Sequence, residues 1–553
     1  MSEVALYEAI AQAFVAEGVD TIFVLTGDGN MHWEAAFSAT PGTRSFHVRH
    51  EHCACAMATA YASMTGRVGV ASVTCGPGLT QIMTALATAT AARVPLVVFA
   101  GESPMHATFY NQAIDQAPLV KGTGSEYVAI HSVPRALSIV AEAFHLAKME
   151  RRPVVIAMPL DLQRTKISQA APYQPSALLM PDVGPVMPHP AYVKAAAERI
   201  ARARNVVVMA GRGAKAAGAG KDCEALAEWC GGLLATTLPV RGLFDHNPRA
   251  IGVAGGFSHQ ATRAAFATCD LVVAVGASLT NFTTDGGALF PNADVIQIDV
   301  DPRGLKHGRR PAGLFVRADS RTGVATILDQ LERDGANALA PGWNATALAQ
   351  ATRDEPADRA AFAMEPGLLD PRAVIASIDR HAPKDWVYVN SSGHCSWFAA
   401  HIRDVMAENF LTIREFGAIG NGLSYAIGAA AANPGKPVLL IDGDGGFMMH
   451  AQELDTVRRY NLPILFCILN DGAYGSEIHK LRADGLDDHG AIFGRGNLAR
   501  MAEGFGLRGA VLSNLTELPS LLRQFQAGEG AMVLDIHISD QVTSPVMRRA
   551  TAK

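Results

Sequence analysis

An apolar run that ends in acidic residues and glycines is the strongest candidate for chemistry in this chain. Residues 438–441 are Val-Leu-Leu-Ile, and 442–446 continue as Asp-Gly-Asp-Gly-Gly. A second apolar run, 464–469, ends at Asn470. Because the carboxyl ends of sequential parallel strands meet at one edge of a sheet, we expect Asp444 and Asn470 to lie close together. Two side-chain oxygens and a loop carbonyl suit Mg²⁺ bound to a diphosphate, which the glycines allow to approach the backbone.

A carboxylate at the start of an Ala-rich segment is a second candidate. Glu51 lies between two histidines and directly precedes a helix that we predict over 53–64. Negative charge at a helix N-terminus stabilises the helix, which gives Glu51 a capping interpretation. A positioned carboxyl group also transfers protons in catalysis. The residues alone leave both interpretations open.

Short β-branched runs alternate with Ala-rich segments along the chain, which predicts parallel strands connected by helices. Helices are expected at 53–64, 80–92 and 448–460. Strands are expected at 21–25, 68–74, 95–100, 153–158, 205–210, 270–275, 295–299, 386–390, 438–441, 464–469 and 532–536. Six prolines within 171–190 indicate a linker. The predicted fold class is α/β, with three doubly wound parallel-sheet domains at 1–170, 188–335 and 365–540.

The composition excludes several classes of protein. The 553 residues are 49% hydrophobic and 18% charged, which favours large buried cores. A net charge of -5 without a basic stripe argues against nucleic-acid binding. No apolar run reaches the ~18 residues of a membrane span, and no signal peptide is visible. The eight cysteines form no CxxC pair, so we expect buried free thiols in a cytoplasmic protein.

From about residue 4 to residue 540 the chain resembles the thiamine diphosphate-dependent enzymes. Gly443-Asp444-Gly445 with the downstream Asn470 is similar to the diphosphate signature of that family, and 445–454 is similar to the matching stretch of acetolactate synthases. The resemblance implies that Asp444, Asn470 and the carbonyl of Gly472 hold Mg²⁺ against the cofactor diphosphate. It also places Gly443, Gly445 and Gly446 beside the cofactor.

The first block resembles the pyrimidine-binding domain of the same family in the order of Glu51 and the segment 74–78, which contains Gly76. The resemblance implies that Glu51 hydrogen-bonds the aminopyrimidine ring and activates the cofactor, and that Gly76 contacts it. In the third block it implies cofactor contacts from Ser391, Gly393 and His394, although several relatives carry an acidic residue where Ser391 stands. It further implies that the Gly417 carbonyl accepts the cofactor amino group and that Ile419 supports its bent conformation.

The middle block carries only part of a dinucleotide-binding motif. Gly211 and Gly213 follow a predicted strand, but the third glycine position is Ala216. Acetolactate synthases and pyruvate oxidases bind FAD in this domain, whereas related decarboxylases and aldehyde lyases retain the domain without flavin. FAD is therefore the less favoured expectation here.

The segment 109–116 resembles a loop of acetolactate synthases and benzaldehyde lyases, which implies that Gln112 reaches the reacting centre and that Tyr110 and Asn111 lie near the substrate. A loop-to-loop hydrogen bond would explain Gln112 equally well. The resemblance also implies that Tyr474 contacts the cofactor, and it places Tyr474 and Glu477 where the segment that covers the substrate in the family begins. An exposed helical carboxylate is the alternative for Glu477.

The loop of the first block lacks the histidine pair of pyruvate-type decarboxylases. The favoured function is thus a carboligase or lyase of the acetolactate synthase-like group, which acts on a 2-oxo acid or a 2-hydroxy ketone through an enamine intermediate. A 2-oxo acid decarboxylase, a flavin-dependent pyruvate oxidase and, least favoured, an inactive regulatory cofactor-binding subunit are the alternatives. The resemblance implies at least a homodimer, with a homotetramer common among relatives.

Overall fold

Three six-stranded parallel sheets follow one another along the chain in a computed structural model that describes residues 3–168, 172–181, 183–302 and 312–551. This arrangement confirms the predicted fold class. A two-stranded antiparallel sheet joins β1 (Glu3–Ala5) to β8 (Lys166–Ser168). No helix of the described residues is long and apolar enough to cross a bilayer.

The first sheet has the order β3-β2-β4-β5-β7-β6 and lies within 1–170. Its strands are β2 (Thr21–Val24), β3 (Arg44–His47), β4 (Gly69–Val73), β5 (Leu96–Glu102), β6 (Glu126–Ala129) and β7 (Pro153–Pro159). The helices of this block are α1 (Leu6–Ala16), α2 (Met31–Ser38), α3 (Glu51–Thr65), α4 (Pro77–Thr80), α5 (Met83–Ala92), α6 (Gln116–Gly122), α7 (Ala136–Glu150) and α8 (Leu160–Gln163). In the proline-rich linker, the described residues form one short helix, α9 (Ser176–Leu179).

The second sheet has the order β11-β10-β9-β12-β13-β14 and lies within 188–335. Its strands are β9 (Val206–Ala210), β10 (Leu233–Thr236), β11 (Ala250–Val253), β12 (Leu271–Val275), β13 (Asp294–Asp299) and β14 (Leu314–Arg317). The helices are α10 (Pro190–Arg202), α11 (Arg212–Ala216), α12 (Gly220–Trp229), α13 (Gln260–Thr268), α14 (Asn281–Thr284) and α15 (Ser320–Arg333), and α16 (Ala345–Asp354) follows the sheet.

The third sheet has the order β16-β15-β17-β18-β20-β19 and lies within 365–540. Its strands are β15 (Val387–Asn390), β16 (Phe410–Thr412), β17 (Val438–Gly443), β18 (Ile464–Asn470), β19 (Arg508–Leu512) and β20 (Met532–His537). The helices are α17 (Pro371–His381), α18 (Cys395–Ala399), α19 (Gly422–Ala432), α20 (Asp444–Met449), α21 (Leu454–Arg459), α22 (Gly475–Ala483), α23 (Leu498–Gly504), α24 (Leu518–Ala527) and α25 (Pro545–Thr551).

The single helix predicted over 448–460 was wrong. The chain turns into α20 directly at Asp444, so the helix begins four residues earlier than the apolar pattern suggested. It ends at His450, whose φ of -132° breaks the helical path, and a 3₁₀ turn at Ala451–Glu453 separates it from α21. The His450 Nδ1 donates to the carbonyl of Gly420 at 2.8 Å, and this contact with a distant loop stabilises the break.

The first and third blocks share one hydrophobic core, which is built around the crossing of α3 and α19. Both helices are rich in alanine and approach each other closely. A β-carbon added to Gly428 of α19 would lie 2.2 Å from the backbone oxygen of Met57 in α3, so only glycine fits at this crossing. The N-terminal ends of both helices therefore lie close to each other, and both ends carry candidate site residues.

Candidate active site

Asp444 and Asn470 lie at the same edge of the third sheet, because β17 and β18 are paired in parallel with Gly443 opposite Leu469. Both side chains are buried, at 3% and 0% exposure. Asp444 Oδ2 accepts a hydrogen bond from the backbone N–H of Gly472 at 2.9 Å, and Asn470 Nδ2 donates to Asp535 Oδ1 at 2.8 Å. The remaining oxygens, Asp444 Oδ1 and Asn470 Oδ1, are buried without a hydrogen-bond partner. Buried polar atoms without partners are rare, and two oxygens at one sheet edge fit a hard cation such as Mg²⁺.

Three carboxyl groups crowd this edge. Burial raises the pKa of Asp442 to about 7 and raises the pKa of Asp444 above its usual range. Burial and the neighbouring charge of Asp444 together raise the pKa of Asp471. A divalent cation would offset the cost of burying negative charge here. The electrostatics thus agree with a cation site.

The turns around this edge bring further predicted residues together. Gly445 lies against the ring of Tyr474, which also contacts the ring of Phe493 at 5.2 Å between centroids. The Gly472 carbonyl accepts hydrogen bonds from the backbone N–H groups of Phe493 and Gly494, both at 2.9 Å. A metal ion would therefore have to replace one of these bonds before Gly472 could act as a ligand. Its assignment as a metal ligand stays a prediction.

The loop after β15 lies beside β17, where the strand order of the third sheet reverses. Such reversal points form ligand crevices in parallel sheets. Ser391 Oγ and Asp442 Oδ2 both lie beside the backbone of Gly422. The side chain of His394 contacts the C-terminal segment instead, where its Nε2 accepts the backbone N–H of Ser544 at 3.0 Å. Burial and the nearby His479 hold the pKa of His394 well below its usual range.

Two predicted cofactor contacts lie on the segment that precedes α19. Gly417 has open space around its α-carbon, so its backbone is accessible to a ligand. Ile419 is half-buried. A β-carbon on Gly393 would lie 3.9 Å from Ile419 Cγ2, which places Ile419 next to the loop after β15. Gly393 and Ile419 thus lie together beside the same crevice.

Glu51 is the first residue of α3, and its carboxylate faces the end of β4. A β-carbon on Gly78 would lie 3.5 Å from Glu51 Oε1. The neighbouring Gly76 has φ +58°, and a β-carbon there would lie 2.2 Å from the backbone oxygen of Gln112. The structure therefore brings Glu51, Gly76 and the 109–116 segment to one edge of the first sheet.

The side chain of Gln112 belongs to a small hydrogen-bonded group. Its Oε1 accepts from the Cys75 thiol at 3.3 Å and from the Tyr110 hydroxyl at 3.4 Å. Burial raises the pKa of Tyr110 to about 12, so its hydroxyl stays protonated at neutral pH. Asn111 is exposed. Glu477 is exposed on α22, where its Oε1 lies 3.3 Å from Lys480 Nζ, in keeping with the alternative of a solvated helical carboxylate.

Sequence reasoning missed two polar side chains at these edges, those of the buried Gln116 and the half-buried Asp471. Gln116 Oε1 accepts the backbone N–H of Gly76 at 2.8 Å, and its Nε2 donates to the Gly101 carbonyl at 3.0 Å. Asp471 is the second. Gln116 lies in the segment that suggested Gln112, and Asp471 directly follows Asn470. Both residues belong to motifs described above, but no local sequence pattern predicts that their side chains point towards the site.

The glycine turn of the second sheet is packed against a neighbouring strand end. A β-carbon on Gly211 or Gly213 would lie 2.3 Å or 2.7 Å from backbone atoms of Gly276. Arg212, between them, donates to the Ala92 carbonyl at 2.8 Å and pairs with Glu415 at 2.7 Å. This turn therefore connects the second block to the first and third.

The two candidate edges are connected through the start of α3. His52 Nε2 donates to Asn421 Oδ1 at 2.6 Å, and the backbone N–H of Arg49 donates to Glu453 Oε1 at 2.9 Å. Arg49 also pairs with Asp455 at 2.5 Å. Arg49, two positions before Glu51, and His52, one position after it, are thus both anchored to the third block.

Comparison with protein families agrees with this arrangement. Residues 4–119 match the N-terminal TPP binding domain of thiamine pyrophosphate enzymes, 193–331 match their central domain, and 391–536 match their C-terminal TPP binding domain. The three matches follow the order of the three sheets.

Curated relatives align with almost the whole chain. A probable acetolactate synthase large subunit of Methanocaldococcus jannaschii is 27% identical over 98% of this chain and 93% of its own. The large subunit of acetolactate synthase isozyme 2 from Escherichia coli (strain K12) is 28% identical over 96% and 95%. An acetolactate synthase of Mycobacterium bovis is 30% identical over 85% and 76%. The chain belongs to the thiamine pyrophosphate-dependent enzymes and is acetolactate synthase-like.

Proposed function

We propose that this chain is a thiamine diphosphate- and Mg²⁺-dependent carboligase or lyase that makes or breaks a carbon–carbon bond next to a carbonyl group. The observation that carries the proposal is the pair of buried oxygens without partners on Asp444 and Asn470, which lies at the sheet edge of a thiamine pyrophosphate-binding domain. The substrate class is a 2-oxo acid or a 2-hydroxy ketone. Acetolactate synthases among the relatives support ligation as the favoured reaction.

The proposed binding roles follow from the two edges. Asp444 and Asn470 would hold Mg²⁺, with Gly472 as a third ligand if its carbonyl is released. Ser391, Gly393 and the glycines after β17 would surround the diphosphate. Bound thiamine diphosphate supplies a carbon nucleophile and an electron sink for the bond beside the carbonyl. Ile419 would support the cofactor from below, and the Gly417 carbonyl would accept its amino group.

Glu51 would hold and transfer the proton that cofactor activation requires. Its position at the first turn of α3 places its carboxylate beside Gly78. Gln112 and Tyr110, joined through Gln112 Oε1, would face the substrate carbonyl. Because the Tyr110 hydroxyl stays protonated, it can donate a hydrogen bond to a developing negative oxygen in place of its long bond to Gln112 Oε1.

A second copy of the chain would complete the site, with Glu51 of one protomer facing the diphosphate edge of its partner. Apolar side chains that flank both edges support this arrangement, because they are exposed in the single chain and a partner would bury them. They are Phe109, Phe416, Met448, Met449 and Phe493. We propose a homodimer at minimum and a homotetramer as the assembled form.

The central domain is proposed to work without flavin. The turn that follows β9 carries only part of a dinucleotide-binding motif, because Ala216 stands at the third glycine position, and this supports the proposal. Absorbance of the purified protein in the flavin region checks the proposal. A stoichiometric flavin spectrum would overturn it and would favour the oxidase alternative.

The decisive experiment incubates the protein with thiamine diphosphate, Mg²⁺ and a panel of 2-oxo acids, aldehydes and 2-hydroxy ketones, followed by product analysis. We expect coupled or cleaved carbon skeletons, and a Glu51→Gln variant should lose at least about 100-fold in rate, because it lacks the proton-transferring group. Glu198→Gln, an exposed carboxylate on α10, is the matched control. Simple aldehydes from 2-oxo acids as the sole products would favour the decarboxylase alternative. Full turnover by Glu51→Gln would refute the assignment of Glu51.

A further inference from the structure

A group of nitrogen and sulfur ligands lies where the start of α3 meets the end of α20. The metal-binding atoms of His50, Cys53 and His450 all lie within 4.8 Å of one another. Cys53 is fully buried, whereas the two histidines are half-buried and can be reached by solvent. None of these three residues has a role in the proposed reaction.

The fold itself brings the three side chains together. His50 is the N-cap of α3 and Cys53 follows three residues later, so both lie on one face of the first helical turn. His450 directly follows the last residue of α20. The N-terminal end of α3 meets this helix end because α3 packs along α19. The cluster thus joins two elements that are 400 residues apart in sequence.

The orientation of His450 suits a ligand. Its Nδ1 donates to the carbonyl of Gly420 at 2.8 Å, which leaves Nε2 as the unprotonated nitrogen of the neutral ring. Metal-binding histidines commonly donate their other ring N–H to a carbonyl in this way. His52 stacks on His450 at 4.8 Å, but its Nε2 is bonded to Asn421 Oδ1, so it supports the cluster from outside.

We propose that His50, Cys53 and His450 bind one Zn²⁺ ion, with a water molecule in the fourth position. Two imidazoles and a thiolate are the donors that zinc prefers, and they are poor ligands for Mg²⁺. A tetrahedral zinc ion holds its ligand atoms about 3.5 Å apart, so the most distant pair of these atoms has to close by up to about 1.3 Å. His50 gives up the hydrogen bond that its Nδ1 accepts from the His52 N–H if that nitrogen is the ligand.

The thiol of Cys53 loses its proton to solvent when the ion binds. Zinc at this position would tie the first turn of α3, which carries Glu51, to the end of α20, which begins at Asp444. The ion would therefore stabilise the position of the Glu51 helix relative to the third block, without contact with substrate.

Cobalt titration of the full-length protein, with Mg²⁺ and thiamine diphosphate present in excess, tests this site. Co²⁺ bound to a thiolate gives a charge-transfer band in the near ultraviolet, which an oxygen-only site cannot give. We expect one Co²⁺ per chain with this band, displaced by Zn²⁺. Cys53→Ser should abolish the band, whereas Cys55→Ser, another buried cysteine of α3, should retain it. His450→Asn should weaken Co²⁺ binding at least about tenfold.

The absence of a thiolate band in the unmodified protein would overturn the proposal, and so would a band that persists in Cys53→Ser. Should Cys53→Ser fail to fold, His450→Asn decides the question, because His450 is half-buried at a helix end and circular dichroism can verify its fold. Unchanged Co²⁺ affinity in a folded His450→Asn protein would refute the site.

Discussion

Replacement of Gly76 by alanine tests whether the backbone of Gln112 is held where the reaction needs it. Gly76 has φ +58° and ψ -109°, a region that costs an L-residue about 1–3 kcal/mol. The added β-carbon would lie 2.2 Å from the Gln112 oxygen, and overpacking of this kind costs typically about 1–3 kcal/mol. The variant should therefore lose about 2–6 kcal/mol of stability unless the 109–116 segment moves away by about 1 Å.

Such a shift of the 109–116 segment should lower kcat/KM more strongly than it lowers the stability of the fold. A displacement of about 1 Å next to the reacting centre can lower kcat/KM about 100-fold, and we expect a loss of this size for Gly76→Ala. Binding of Mg²⁺ and thiamine diphosphate should change less, because Asp444 and Asn470 lie on the other edge. Steady-state kinetics, calorimetric cofactor binding and thermal unfolding separate these effects.

Gly66→Ala is the matched control for this experiment. Gly66 also has positive φ, +72°, but nothing lies within 4 Å of the position of its β-carbon. The control therefore carries only the backbone cost, about 1–2 kcal/mol, and should retain its kcat/KM. If a folded Gly76→Ala variant matched Gly66→Ala in kcat/KM, the reasoning that connects Gly76 through Gln112 to the substrate would be refuted.

Three further predictions concern the cation edge, the helix crossing and a buried histidine. Asn470→Ala should abolish Mg²⁺-dependent retention of thiamine diphosphate in calorimetry, and unchanged retention would exclude Asn470 as a ligand. Gly428→Val should destabilise the protein by about 1–3 kcal/mol through its clash with Met57, and an unchanged Tm would contradict the close crossing. Burial lowers the pKa of His401 from 6.5 to about 3, so the folded protein binds fewer protons than the unfolded chain between these values. The contribution of His401 to the free energy of unfolding should fall by up to about 5 kcal/mol as the pH drops from 6.5 towards 3, and in denaturant titrations His401→Asn should show that much less pH dependence.

The strands could be predicted because a parallel strand that is buried on both faces is a continuous apolar run. Asp442 at the end of β17 and Asn470 at the end of β18 interrupt such runs, so the edge that they share could be predicted as well. The pairing of the two strands confirms that reasoning. These features depend only on local pattern and on the general geometry of parallel sheets.

Features that depend on distant contacts could not be predicted. The break of the helix at His450 depends on Gly420, 30 residues earlier, and the orientation of His394 depends on Ser544, 150 residues later. The bonds that the Gly472 carbonyl accepts come from a turn at Phe493 and Gly494. No local pattern encodes which distant backbone group a side chain or carbonyl will meet.

The helix pair α3 and α19 connects the two candidate edges within one chain. Glu51 opens α3, and α19 begins three residues after Ile419, so each helix starts at one edge. The two helices are held together by a crossing that tolerates no side chain at Gly428 and by the bond from His52 to Asn421. We therefore expect a displacement of one helix start to displace the other. For this reason a substitution at the crossing should disturb Glu51 and Ile419 together, although it touches neither residue.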